Sequence, residues 1–161
     1  MAFRMTSKDF KDGDVLPQAQ VFNGMGHAGG NLSPHLQWVD VPEGTQSFVV
    51  TCYDPDAPTG SGWWHWVVVD IPGDVSELAE GAGSGKAALP APAMQTRIDF
   101  GPPGYGGAAP PPGAPHRYIF TVHALKVPSL GLNPDVSPAY VGFNVHFNSL
   151  GSATLTATYP G

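Results

Sequence analysis

Three titratable residues stand at the ends of apolar runs. Asp54 closes the run that begins at Ser47, His65 lies inside Trp63-Trp64-His65-Trp66, and His116 opens a third run with Tyr118 two places on. A carboxylate beside imidazoles favours their protonated form and fixes which ring nitrogen carries the proton. The N–H groups of His65 and His116 and the Tyr118 hydroxyl could then grip oxygens of a phosphate or carboxylate. Asp54 would hold the rings and accept a proton or an ammonium from the ligand. Trp63, Pro58 and a proline-rich loop containing Pro110 would supply apolar walls, the usual anatomy of a small-ligand site.

These groups meet only if the elements carrying them are neighbours. Residues 47–53 and 63–71 are β-branched and aromatic, and a Pro/Gly/Ser-rich stretch separates them, so both read as strands joined by a loop. Apolar side chains on both faces of 47–53 mark a central strand. Alternation along the second run puts Trp63, His65, Val67 and Val69 on one side and Trp64, Trp66, Val68 and Asp70 on the other. The run 116–125 sets His116, Tyr118, Phe120 and Val122 against Arg117, Ile119, Thr121 and His123. Residues 36–39 read as a short strand, and 152–159 as a half-exposed one. Asp12-Gly13 predicts an early hairpin within 9–15, and 76–79 one helical turn. Ser137-Pro138 reads as N-cap and first helical position, followed by a stripe of Tyr140, Phe143, Phe147 and Leu150. The loop 99–115 is stiffened by proline and reads as a pocket wall rather than a polyproline ligand.

Composition limits the function classes. The chain has 161 residues, is 42% hydrophobic and carries only 12% charged residues, which suits one domain spanning 1–161 with a full core. The 21 glycines and 18 prolines alternate with dense apolar runs, so they read as loops of a strand-rich fold. Net charge is −6 and no basic cluster exists, which argues against nucleic acid and against stable membrane attachment. The glycine-rich loop 22–34 fits no phosphate-loop or dinucleotide spacing. Cys52, the single cysteine, sits in an apolar strand and reads as a buried inert thiol. With no apolar signal region at the N-terminus, the expected location is cytoplasmic.

Asp54-Pro55-Asp56-Ala57-Pro58 with Trp63-Trp64-His65-Trp66-Val67-Val68, and Gly113-Ala114-Pro115-His116-Arg117-Tyr118, resemble the two signature motifs of the phosphatidylethanolamine-binding proteins. This family is also called Raf kinase inhibitor-like. Residues 30–38, and Asp99-Phe100-Gly101 with Tyr105, resemble it as well, closest to the bacterial cytoplasmic branch. The resemblance implies a mainly β, antiparallel sandwich: a large central sheet, a smaller sheet packed on it, and one or two short helices near the C-terminus. It implies an anion pocket at Asp54, His65, His116 and Tyr118, lined by Trp63, Pro110 and Pro58, the last after a cis peptide. Arg117 matches a structural position, and Asp56 shapes the loop. Pro112 stands where relatives commonly carry a basic residue.

The expected function is a non-catalytic module binding phosphate, a phosphorylated headgroup or a nucleotide, without cofactor or metal. An inhibitor of a kinase or protease acting through the rim loops is the alternative, and a homodimer is left open. A metal-dependent or His/Asp hydrolase ranks below both, since no HExxH motif or nucleophile elbow is present.

Overall fold

Runs rich in valine, isoleucine and aromatics build this molecule, because such side chains pack well on a pleated surface covered from above and below. The computed structural model describes residues 2–161. In chain order it has β1 (Arg4–Thr6), β2 (Leu36–Val39), β3 (Ser47–Asp54), β4 (Trp63–Pro72), β5 (Glu77–Leu78) and β6 (Met94–Gln95). Then come β7 (Arg97–Ile98), β8 (Gly101–Pro103), β9 (His116–Leu125), α1 (Pro138–Asn148) and β10 (Ser149–Tyr159).

The fold is mainly β. A five-stranded sheet runs in the order β10-β9-β3-β4-β6, a three-stranded sheet in the order β1-β2-β5, and β7-β8 form a two-stranded ribbon. All the paired strands are antiparallel. β3 is the central strand of the large sheet, as its two apolar faces require. One face, here the front, carries Phe48, Val50, Cys52, Phe120 and Val122 into a core shared with Met5, Leu36 and Trp38 of the small sheet. Trp38 meets Phe48 with ring centroids 5.3 Å apart. On the back face Val49, Val67, Val69 and Leu125 pack against Val141 and Val145 of α1. Among the described residues, no helix is long and apolar enough to cross a membrane.

Four local expectations are corrected. Residues 9–15 form no hairpin: Gly13 N–H donates to the Thr156 carbonyl and Thr156 N–H to Asp12, which ties the turn to β10 instead. Glu77 and Leu78, expected in a helical turn, form β5 on β2, where Leu78 is buried. The third concerns α1. Ser137 caps the helix, accepting from Tyr140 N–H at 3.1 Å, but Tyr140, Phe143 and Phe147 are its exposed side, and Leu150, expected in the same stripe, lies in β10 and is exposed too. The helix carries two apolar series at the same spacing, and the second, Pro138, Val141 and Val145, takes the sheet. Periodicity cannot choose between two such stripes. Finally, the one cis peptide among the described residues precedes Pro92, not Pro58.

Candidate functional site

Strand alternation fails at His65. In the β3–β4 register Cys52 faces Trp66 and Tyr53 faces Trp64, so His65 is the extra residue of a β-bulge. Downstream of it the faces swap. Trp66 and Val68 join the front core with Cys52, while Trp64 packs on the back with Val67 and Val69. Strict alternation would have grouped His65 with Val67 and Val69. Instead the bulge turns its ring to the front, edge-on to Tyr118 at 5.1 Å between centroids. Bulges commonly re-aim a side chain beside a site in this way.

The other groups arrive from adjacent strand ends. Asp54 terminates β3, His116 opens β9, and Tyr118 lies on the same face of β9 as the buried Phe120 and Val122. His116 Nδ1–H donates to Asp54 Oδ2 at 2.7 Å, and the amide of Asp56 donates to Asp54 Oδ1 at 2.7 Å. Both oxygens of this buried carboxylate are therefore engaged from within the protein. His65 Nδ1–H donates to the Gly106 carbonyl at 2.8 Å. With each Nδ1 committed, the Nε2 atoms of both rings make no hydrogen bond to protein among the described residues. Among the described residues the Tyr118 hydroxyl makes no hydrogen bond to protein.

These side chains line a cavity of about 400 Å³. Pro58, Trp63 and Pro110 line it, and Met25, Phe100 and Ala109 add apolar surface. Phe100 stands edge-on to both Trp63 and His65, with centroids 5.5 Å apart in each case. Residue-type reasoning passed over Met25, which sits in a left-handed turn (φ 53°) of the glycine-rich loop. That loop is held to the proline loop by His27, whose Nε2–H donates to the Pro110 carbonyl at 3.0 Å. A mixed His/Met/Gly loop is the only signal the chain offered for it. Gly106 acts through its backbone carbonyl, so no side-chain pattern could reveal it.

The electrostatics divide between floor and rim. Burial pushes the His65 imidazole below its ordinary value, opposed by the Gly106 carbonyl and the Asp54 charge. Burial also raises the Tyr118 phenol, helped by Asp54, so its hydroxyl remains a donor at any ordinary pH. At the rim, Arg117 forks onto Asp56: Nε–H donates to Oδ2 at 3.0 Å and Nη2–H to Oδ1 at 2.9 Å. The Arg117 backbone N–H adds a third bond at 2.9 Å. Those bonds hold the Asp56 carboxyl at about 2. The only arginine at the site thus spends its charge on a loop carboxylate. No lysine or arginine lines the cavity.

The sequence model of the phosphatidylethanolamine-binding protein family matches residues 6–160. The chain is 62% identical over 156 residues to the UPF0098 protein YbhB of Escherichia coli strain K12, covering 97% of this chain and 99% of that one. The crystal structure of E. coli YbcL, described as a member of the mammalian PEBP family, superposes with a TM-score of 0.96. It is 48% identical, and the match covers 100% of this chain and 99% of that one. A PEBP homologue from Chlamydia trachomatis superposes with a TM-score of 0.84 at 31% identity, covering 99% of this chain and 98% of that one.

Proposed function

The chain belongs to the phosphatidylethanolamine-binding protein family, and from that premise and the cavity at the ends of β3, β4 and β9 we propose that it is a non-catalytic receptor for a small anion. One observation carries the reading. Two imidazoles have their Nδ1 atoms committed to the Asp54 carboxylate and the Gly106 carbonyl, which leaves both Nε2 atoms beside an unpaired phenol.

The chemistry follows from proton inventory. At neutral pH His65 is uncharged, because burial disfavours its imidazolium. Its Nε2 then presents a lone pair, which repels an anion. An arriving anion favours protonation of that nitrogen, converting it into a charge-assisted donor. His116 has Asp54 behind it, so an imidazolium there is balanced from within the protein. The Tyr118 hydroxyl adds a neutral donor. Since no lysine or arginine lines the cavity, the positive charge for the guest is imidazolium, and anion binding is coupled to proton uptake. The apolar walls at Trp63, Phe100 and Met25 suit a guest with an organic body, such as a phosphorylated headgroup or a nucleotide.

A hydrolytic reading has less support. Both Asp54 oxygens already accept hydrogen bonds within the protein, so the carboxylate is poorly placed to serve as a base on a ligand-side water. The test is calorimetry with sulfate, which does not titrate near neutrality, in buffers of differing ionisation enthalpy. Proton uptake on binding, affinity falling as pH rises, and at least tenfold weakening in both His65→Ala and His116→Ala are expected. Binding without proton uptake, or unchanged in both variants, overturns the reading.

A further inference from the structure

The back of the large sheet holds a second cavity, of about 340 Å³, roofed by α1. Its floor is Thr51 of β3, Trp64 of β4 and His123 of β9; its roof is Val141, Gly142 and Val145, with His146 at the last turn of the helix. The front site uses none of these groups. Thr51 pairs with Thr121 across β3 and β9, two places from His123, so hydroxyl and imidazole share one face. The His123 ring is partly buried and, among the described residues, makes no hydrogen bond to protein, so its nitrogens are open to a guest.

Gly142 makes the argument specific. It lies mid-helix, where glycine is unfavourable relative to alanine. Its φ is not positive, and an added Cβ would find nothing within 4 Å. Neither backbone geometry nor close packing therefore requires a glycine here. What its missing side chain does is leave the roof of the cavity open.

We propose that this cavity is a second small-molecule site, taking a neutral one-ring aromatic compound that bears a hydroxyl. The ring lies among Trp64, Val141 and Val145, and the hydroxyl exchanges hydrogen bonds with His123 and Thr51. The absence of charge in the guest follows from the lining, which has no aspartate, glutamate, lysine or arginine. Burial alone holds the His123 imidazole down at about 4, so at neutral pH it is an uncharged ring offering one donor and one acceptor. A cavity of this size lies at the small end of the range for ligand sites, about 300–1,000 Å³. That is room for a single ring, and the lining offers no cation for a phosphate.

The experiment titrates 15N-labelled protein with 4-methylphenol, and separately with toluene, which has the same body without the hydroxyl. Saturable shifts at the Gly142 and Val145 amides and in the His123 imidazole are expected, with toluene at least tenfold weaker. Gly142→Leu, which fills the cavity, and His123→Phe, which removes the polar partner, should each raise the Kd at least tenfold. Sulfate binding at the front should stay unchanged in both. Gly142→Ala needs no repacking and should weaken binding by a smaller factor if the leucine variant fails to fold. Shifts confined to the front cavity, equal affinity for toluene, or a Kd unmoved by filling at position 142 would overturn the proposal.

Discussion

The two faces of one sheet carry imidazoles in opposite circumstances. At the front, His116 leans on a carboxylate and His65 on a carbonyl; at the back, burial acts on His123 without any compensating partner. Burial moves the His65 and His123 rings the same way, but only the front rings have fixed acceptors within the protein. Partnership, rather than the histidine itself, separates the site we propose for a negative guest from the one we propose for a neutral guest.

The largest test of that contrast removes the front's anchor. Asp54→Ala leaves the Asp56 amide and His116 without their acceptor and should cost about 3 kcal/mol, as breaking a buried pair usually does. Urea denaturation measures it, and sulfate binding should be lost as well. At the back, replacing His123 by Phe should leave stability at neutral pH unchanged or raised, since no protein bond is broken. Equal losses in the two variants would erase the distinction.

The acid limb sharpens it. His123 is held at about 4, below the 6.5 of an unfolded histidine. Between those values the unfolded chain binds the extra proton, so stability is full above pH 6.5 and falls as pH drops toward 4. By linkage that loss is at most about 3 kcal/mol. His123→Phe should remove this part of the slope in a pH series of melting curves, leaving the part due to His65.

Smaller effects follow at the front. Tyr118→Phe deletes one neutral donor and should weaken sulfate binding about tenfold, the worth of one hydrogen bond to a charged group. Calorimetry reads it, and stability should hardly change. Asp56→Asn is smaller still. The folded carboxyl sits at about 2 and the unfolded one at 3.8, so its contribution is present above pH 4 and fades as pH falls toward 2. The pair is exposed, so the loss should stay below about 1 kcal/mol. Melting curves between pH 5 and pH 2 check it.

Much of this molecule is legible from composition and spacing. The two apolar faces of residues 47–53 demanded a centre position, and β3 has it. The extent of β9, the Ser137 cap and the inward series Ala153, Leu155 and Ala157 follow from local chemistry, which short-range sequence encodes. Asp54, His65, His116 and Tyr118 could be singled out because strand ends and alternation are sequence properties. Their meeting in one hollow is a matter of strand order, which no single segment contains.

Tertiary structure decided the rest, for reasons of geometry. The bulge at His65 arises from β3 and β4 in register; it re-aims the ring and swaps the faces of residues 66–69, until a second irregularity returns Ile71 to the front core. Which stripe of α1 is buried depends on what the sheet can accommodate, because both stripes satisfy the helical period. The Gly106 carbonyl acts through backbone that every residue possesses, so its role is invisible until the chain is folded. Residue types thus determined which chemistry was available to this protein; packing determined which atoms line the cavity.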